Sequence, residues 1–444
     1  MQAEQTRQNK MGTAPMLPLI FSMSLPAMFS MLVQALYNIV DSYFVAQVSE
    51  KGLAAVSLAF PLQNLLIAFA VGTSVGVTSL ISRRLGQGRQ EEANSAAAHG
   101  ILLAICTWAL FAIYGGFFST PFFELFETDP EIIRMGSSYI SICCVFSFGV
   151  FVEVTLEKTL QATGNMIWPM IFQLIGALTN IILDPIMIFG LLGFPAMGVA
   201  GAAIATVSGQ ILAMVVASLV ITFRDHDIHI SFRGFRPDFK IIKDIYIVGM
   251  PSIVMQSIGT VMTMALNGIL SSFSTAAYTV FGLNQGLLPI LGFNYGARNK
   301  HRMMSAFRSG CVIALVIMTA GMVVFLAFPQ WLLGIFNASE ELLEIGVPAL
   351  RIICTCFLFA ALGIVASTLF QAVGRGIYSL IVSLMRQLVV LVPAAWILAQ
   401  VTHQVFYVWW AFPIAECFSL VVSLALLLRL YRKEIRNLET VEER

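Results

Sequence analysis

Residues 166–193 read MIWPMIFQLIGALTNIILDPIMIFGLLG, an apolar run long enough to cross a membrane that contains one acidic side chain, Asp184. Residues 25–48, LPAMFSMLVQALYNIVDSYFVAQV, place Asp41 in a similar run. A carboxylate in hydrocarbon costs at least ~2.5–3.5 kcal/mol, and neither aspartate has a basic residue close by in sequence. Because such carboxylates usually face a cavity and handle ions or protons, this placement indicates a membrane transporter.

The composition also indicates a membrane protein. Of the 444 residues, 58% are hydrophobic and 11% are charged. Ordinary soluble domains carry about 25% charged residues. The net charge of +1 gives no electrostatic basis for a nucleic-acid partner, so the expected surroundings are the lipid bilayer. The seven cysteines all fall in apolar runs without metal-ligand spacing, and we expect no metal site and no cofactor.

Twelve apolar runs of about 18 or more residues predict an all-α integral membrane protein with twelve transmembrane helices. The spans lie approximately at 17–45, 53–82, 95–120, 135–160, 166–190, 198–223, 242–272, 275–295, 305–333, 345–371, 377–400 and 404–430. Lysine and arginine accumulate on the side reached after every even-numbered span, whereas the opposite loops are poor in basic residues. By the positive-inside rule, both termini are predicted to be cytoplasmic.

The chain repeats itself in order over roughly 220 residues, which predicts two six-helix halves. GMPSIVMQSIG (249–259) echoes SLPAMFSMLVQ (24–34), and the prolines Pro26 and Pro251 occupy the same position. LGFNYGARNK (291–300) echoes ISRRLGQGRQ (81–90) in the same way. A third match pairs residues 369–393 with residues 160–185.

An even number of helices in each half makes the repeats parallel, with an axis along the membrane normal and a central cleft between the halves as the substrate path. The predicted divisions are an N-terminal bundle over 1–222, a cytoplasmic linker over 223–242, a C-terminal bundle over 243–434 and a cytoplasmic tail over 435–444. We expect the protein to be a monomer.

Several segments together resemble the MATE family of multidrug and toxic compound extrusion transporters. They are LPAMFSMLVQALYNIVDSYFVA (25–46), LQATGN (160–165), TNIILDPIMIFG (179–190) and GVAGAAIATVSGQ (198–210). The segment FGLNQGLLPILGFNYGARNK (281–300) resembles the MepA-like bacterial branch. The resemblance implies a bacterial cytoplasmic membrane protein that exports amphipathic organic cations and is driven by inward H⁺ or Na⁺.

The resemblance also implies a cation-coupling site in the first half, formed by Asp41, Asn180, Asp184 and Thr206. The residues support this placement independently, because Asn180 and Asp184 are four residues apart and share a helix face. At 1.5 Å per residue, Asp41 and Asp184 both lie past the midplane at comparable depth. Two adjacent carboxylates cannot both stay ionised easily, which suits a proton carrier. The same oxygens also suit Na⁺, so the ion stays open.

The candidates for substrate binding are Glu153, Glu157, Gln34 and Tyr37. Acidic and aromatic side chains favour flat organic cations, which bind through charge and cation–π contacts. For Glu157, an alternative role is to pair with neighbouring basic residues. In the second half, Arg386 and Glu416 are predicted to form a structural pair.

The linker residues Asp225, His226, Asp227 and His229 have the chemistry of metal ligands but no further ligands nearby. We interpret them as a solvated loop.

The second half departs from the family at two places. Spans 7 and 10 carry Asn267 and Ser367 where Na⁺-coupled members have acidic residues. Span 8 is shorter, since 31 residues separate Ala55 from Gly86 but 19 separate Ala277 from Gly296. We therefore expect a shortened helix 8, bent near Pro289, with Gly296 in the position of Gly86.

Two other classes of function are alternatives to export. A flippase for a lipid-linked precursor shares the wider superfamily architecture, but it needs basic residues for a pyrophosphate, and the spans offer acids and Arg386. A membrane enzyme needs a nucleophile–base pair or a metal cluster, which the five histidines do not form in sequence. No GxxxxGK[ST] phosphate loop occurs, so ATP cannot drive this chain alone.

Overall fold

A computed structural model of the chain describes residues 9–224, 227–265, 274–334 and 340–438. All regular secondary structure in these ranges is helical. The helices that correspond to the predicted spans are labelled α1 to α12 in chain order.

The first six long helices are α1 to α6. Their bounds are Met16–Val48, Glu50–Gly86, Gln90–Phe117, Pro130–Ala162, Ile167–Phe189 and Val199–Phe223. Helix α4 is a bent pair, Pro130–Val145 and Phe148–Ala162, with an angle of 45° between its parts. A short helix at Lys10–Thr13 precedes α1, and short helices at Ser119–Glu124 and Leu191–Gly193 lie between later helices.

The second six long helices are α7 to α12. Their bounds are Phe239–Ala265, Ser274–Gly296, Lys300–Ala327, Glu340–Ala372, Gly376–Thr402 and Ala411–Ile435. Helix α10 passes through a 3₁₀ turn at Cys354–Cys356, and α11 contains a π-helical stretch at Met385–Leu391. Helix α12 ends in π-helical turns at Tyr431–Ile435, and short helices lie at Pro329–Gly334 and Val405–Val408.

The ends of the helices follow from local chemistry. Asp129 caps α4, because its side chain accepts a hydrogen bond from the Glu131 N–H at 2.9 Å and Pro130 fills the first helical position. Gly190 ends α5 in the left-handed region, with φ of 73°, where a residue without Cβ is not strained.

The helices are long and apolar enough to form a polytopic membrane protein. In the described ranges, ten helices are long and apolar enough to cross a membrane, and the bent α4 gives an eleventh span. Helix α8, at Ser274–Gly296, occupies the remaining position of the predicted twelve. The predicted all-helical membrane architecture is confirmed.

Contacts within the chain define two compact units. The N unit consists of Phe29–Ile81 and Arg89–Val261, and the C unit consists of Met1–Met28, Ser82–Gly88 and Met262–Arg444. Neither unit is contiguous in sequence, since each includes part of a helix from the opposite half. The division into bundles over 1–222 and 243–434 stays a prediction.

The start of the chain is held in the C unit by side chains of α8 and α9. Asn294 donates to the Met11 carbonyl oxygen at 3.1 Å. Arg302 donates to the carbonyl oxygens of Met11 at 3.2 Å and Ala14 at 2.7 Å. These long-range hydrogen bonds explain why the first residues belong to the C unit.

Matching helix contacts in the two units reproduce the sequence repeat. In the N unit, a Cβ added to Gly76 of α2 would lie 3.0 Å from the backbone nitrogen of Gly249 in α7. In the C unit, a Cβ added to Gly286 of α8 would lie 2.9 Å from the backbone nitrogen of Ser24 in α1. In the sequence repeat, Ser24 corresponds to Gly249. The crossing of α8 with α1 in the C unit therefore corresponds to the crossing of α2 with α7 in the N unit.

The ends of α2 and α8 also cross closely within the C unit. A Cβ on Gly86 would collide with the carbonyl oxygen of Phe293, and a Cβ on Gly296 would collide with that of Arg83. Each glycine therefore faces the residue three positions before the other, which confirms the expected match of Gly296 with Gly86. The expected short α8 is also confirmed, with 23 residues against 37 in α2. A bend at Pro289 stays a prediction.

The Gly86–Gly296 crossing predicts that either glycine is intolerant of a side chain. Gly86→Ala or Gly296→Ala should cost about 1–3 kcal/mol of stability, because the added methyl group meets backbone atoms that cannot rotate away. Thermal unfolding of the purified protein in detergent measures the effect. Gly116→Ala is the matched control, since no atom lies within 4 Å of its added Cβ. Equal melting temperatures for all three variants would contradict this prediction.

Candidate functional site

Three helices of the N unit carry the four predicted cation-coupling residues, together with Tyr37, which was predicted to bind substrate. Helix α1 carries Tyr37 and Asp41, α5 carries Asn180 and Asp184, and α6 carries Thr206. Within α1 and within α5 the paired residues are four apart, so each pair lies on one helix face.

Close packing of α5 on α6 brings Thr206 to the α5 residues. A Cβ added to Gly209 of α6 would lie 2.5 Å from the carbonyl oxygen of Gly176 in α5, so the two backbones nearly touch. The Asn180 side-chain amide then donates to Thr206 Oγ1 at 3.2 Å and to Asp184 Oδ1 at 3.3 Å. The sequence-predicted residues Asn180, Asp184 and Thr206 therefore form one hydrogen-bonded group.

Helix α1 completes the site from the other side. The carboxyl group of Asp41 lies next to that of Asp184, and Tyr37 is a neighbour of Thr206. Asp184 is fully buried, and Asn180 is 2% exposed. Repulsion between two carboxylates in this interior is relieved when one of them binds a proton or when a cation lies between them.

The site has more acceptor oxygens than donors. Asp41 Oδ1, Asn180 Oδ1 and Asp184 Oδ2 are buried, and no hydrogen bond to any of them is found in the described part of the chain. Buried oxygens without donors are costly, and a proton or a small cation removes that cost. The site chemistry therefore fits a proton or a monovalent cation.

A second polar cluster lies between α4 and α5, where Glu157 is 2% exposed. Its Oε1 accepts from the Gln161 amide at 2.6 Å and from Lys158 Nζ at 3.3 Å. Its Oε2 accepts from the Gln173 amide at 3.1 Å. Both carboxylate oxygens of Glu157 have protein donors, including the neighbouring basic residue considered as an alternative partner.

The other substrate-binding candidates differ from Glu157. Glu153 is 7% exposed, and its Oε1 is buried without a hydrogen-bond partner in the described ranges. Gln34 and Tyr37 lie one turn apart on α1 and are half-buried. Their roles in binding substrate stay predictions.

The residues predicted to be structural lie inside helices. Pro26 is within α1 and Pro251 is within α7, as the repeat requires. Arg386 Nη1 lies 3.1 Å from Glu416 Oε1, so the two side chains form an ion pair between α11 and α12. Arg386 belongs to the π-helical stretch of α11, a deviation that the sequence did not indicate.

Part of the linker packs against α3. Asp225 and His226 lie outside the described residues, as does Asn267 of span 7. The Asp227 carbonyl oxygen accepts from the Gln90 side chain, and the His229 N–H donates to Asn94 Oδ1 at 3.0 Å. No group of three His, Cys, Asp or Glu residues that could hold a metal occurs in the described ranges.

Sequence reasoning missed two polar contacts. The Asp238 N–H donates to Nε2 of the buried His99 at 2.8 Å, which ties the start of α7 to α3. Gln161 and Gln173 are partners of Glu157. The four-residue spacing of Glu153, Glu157 and Gln161 could have indicated this polar face of α4, but no sequence signal indicated the contact of His99.

Comparison with known proteins assigns the family. The MatE family model matches residues 26–186 and 245–397, once in each half of the repeat. The chain belongs to the MatE family. A solved structure described as the outward-facing conformation of a multidrug resistance MATE family transporter of the MOP superfamily superposes with a TM-score of 0.89. That structure is 26% identical, and the match covers 98% of each chain.

Two curated relatives show the range of named substrates within the MatE family. An FAD transporter of Shewanella oneidensis is 24% identical, over 86% of this chain and 88% of the relative. The multidrug export protein MepA of Staphylococcus aureus is 23% identical, over 87% of this chain and 88% of the relative. The expected relationship to MepA-like MATE transporters is confirmed.

Removal of the Thr206 hydroxyl should weaken the binding of the coupling ion in this MatE-family protein. Thr206→Val keeps the shape but removes an acceptor of the Asn180 amide, worth ~1 kcal/mol, so the affinity for the coupling ion should fall about fivefold. The measurement is the dependence of export rate on the concentration of the driving ion. Thr179→Val is the control, because the Thr179 hydroxyl donates within its own helix to the Ile175 carbonyl oxygen. The same loss in both variants would remove Thr206 from the site.

Proposed function

We propose that this MatE-family protein is a cation-coupled antiporter that exports amphipathic organic cations across the bacterial cytoplasmic membrane. The proposal is carried by the neighbouring carboxyl groups of Asp41, which is half-buried, and of Asp184, which is fully buried beside Asn180 in the N unit. The protein acts without catalysed chemistry and without a cofactor other than its coupling ion. It works as a monomer in the bilayer, with both termini on the cytoplasmic side and no nucleic-acid partner.

The coupling step is the exchange of a cation at this carboxyl pair. When a proton or Na⁺ leaves, two neighbouring negative charges remain in a poorly polarisable interior. The two charges are stabilised either when the ion binds again or when a positively charged substrate binds. The two cations cannot both bind tightly at the same time. Competition between the two cations is the basis for antiport.

H⁺ and Na⁺ make different demands on the site. A proton needs one carboxyl oxygen and an acceptor opposite it, which Asp41 and Asp184 supply. Na⁺ needs several oxygens, for which Asn180, Thr206 and Tyr37 are available. Export from inverted vesicles under an imposed pH gradient or an imposed Na⁺ gradient distinguishes the two ions.

Removal of either charge should uncouple transport. Asp41→Asn or Asp184→Asn should abolish gradient-driven export while leaving expression and folding largely intact, because an amide occupies the same volume and cannot release a proton. Drug accumulation in inverted vesicles measures the loss. Asp129→Asn is the control, since asparagine caps a helix as well as aspartate does and Asp129 lies outside the spans. Normal export by either site variant under both gradients would refute the assignment.

The acidic character of the N unit predicts selectivity for cations. Cells that overproduce the protein should tolerate ethidium and quaternary ammonium compounds better than anionic drugs, since carboxylates and aromatic rings attract positive charge. Growth inhibition measures tolerance, and the Asp184→Asn variant provides the inactive background.

Transport of either of two anionic substrates would contradict selectivity for cations. Export of FAD, the substrate named for the Shewanella relative, or translocation of a pyrophosphate-linked lipid would favour an anion transporter or the flippase alternative. Protection limited to anions would overturn the proposal.

A further inference from the structure

The polar face of α4 contains two carboxyl groups, but the neighbouring hydrogen-bond donors bind only one of them. Glu153, Glu157 and Gln161 follow each other at four-residue intervals and so share a face. Glu157 has donors at both oxygens, from Gln161, Lys158 and Gln173. Glu153, one turn earlier, has a buried Oε1 that accepts nothing in the described part of the chain.

Lys158 does not compensate for both glutamates. Its ammonium group lies 3.3 Å from Glu157 Oε1 and donates to Gln161 Oε1 at 2.9 Å. With Lys158 and Glu157 counted as a neutral pair, an ionised Glu153 would add an unpaired negative charge to a cluster that is almost fully buried. An unpaired buried charge costs several kcal/mol even after relaxation.

Within the described ranges, the helices packed against α4 carry no other basic residue at this level. Helix α6 touches α4 at Gly149, and it contains no charged residue. The one charged residue of α5 is Asp184, eleven residues from Gln173 and therefore about 16 Å farther along the helix.

The contacts of α2 and α3 with α4 lie on another face. Thr155 of α4 meets Ser74 of α2 at 3.3 Å between hydroxyl oxygens, and its methyl group would lie 3.1 Å from a Cβ on Gly100 of α3. The charged residues of α2 lie near its two ends, and those of α3, together with His99, lie in the first half of that helix, where His99 is hydrogen-bonded to Asp238 and Ser95. These residues are Glu50, Lys51, Arg83, Arg84, Glu91, Glu92 and His99. Helix α3 also carries Cys106 and Tyr114, farther along the helix than Gly100.

A second buried oxygen without a donor lies in the same cluster. Gln173 donates its amide to Glu157, while its own Oε1 accepts no hydrogen bond in the described ranges. Oxygen-binding metal ions such as Ca²⁺ and Mg²⁺ surround themselves with about six or more ligands, and two unpartnered oxygens fall short of that. A proton needs only one carboxyl oxygen.

We propose that Glu153, on α4, is a second proton-binding carboxyl of this protein, separate from the Asp41–Asp184 pair carried by α1 and α5. The protonated carboxyl group carries no charge, so the apolar interior tolerates it, and its O–H is a donor in a cluster with surplus acceptors. The N unit then holds protonatable groups at two separate places. This inference does not depend on which ion drives export.

Infrared spectroscopy tests the proposal without any transport assay. The protein is purified in Na⁺-free detergent solution as the Asp41→Asn/Asp184→Asn variant, which removes the first site. A protonated carboxyl gives a carbonyl band that shifts in D₂O. We expect one such band at neutral pH, and its loss when Glu153→Gln is added.

A matched control and a second variant keep the test decisive. Glu416→Gln removes a glutamate that also lies within a span but is paired with Arg386, and the band should persist there. Glu153→Asp replaces the glutamine variant if that protein does not purify, and it should move the band to the frequency of an aspartic acid. A band that survives Glu153→Gln would overturn the proposal. So would its disappearance on addition of Na⁺ at constant pH, which would make the cluster a sodium site.

Discussion

The cost of placing carboxyl groups in a helical membrane interior is the constraint on which the rest of the N unit depends. Asp41 and Asp184 meet beside Asn180, whose amide is the donor that holds Asp184 and Thr206 together. Water cannot supply the missing donors cheaply there, so the surrounding helices must hold the oxygens at fixed positions for an exchangeable cation.

Close helix packing makes this polar interior possible. Backbones approach within van der Waals contact where glycines occur, as at Gly176 and Gly209 between α5 and α6. Short distances between backbones bring short side chains such as threonine and asparagine within hydrogen-bonding range. The same device recurs at the Gly86–Gly296 crossing, where two backbones meet and no side chain could fit between them.

The two units use one architecture for different chemistry. In the N unit, α1, α4 and α5 contain acidic groups whose oxygens lack full sets of donors. In the C unit, Arg386 and Glu416 satisfy each other, and the first residues of the chain are held by Arg302 and Asn294. The duplicated fold thus keeps its helix crossings, because these depend on small residues, while the charged residues inside its helices differ between the two units.

The sequence by itself determined the all-helical membrane architecture, because long apolar runs in lipid can satisfy their backbone only as helices. It also determined the pairing of Asn180 with Asp184, because residues four apart lie on the same face of a helix. The sequence repeat determined the match of Gly296 with Gly86. Only the tertiary structure decided which residues distant in sequence become partners: Thr206 with Asn180, Gln173 with Glu157, and His99 with Asp238. It also decided that Glu157 is satisfied while Glu153 is not. These outcomes depend on the rotation and separation of neighbouring helices, which periodicity along one helix does not specify.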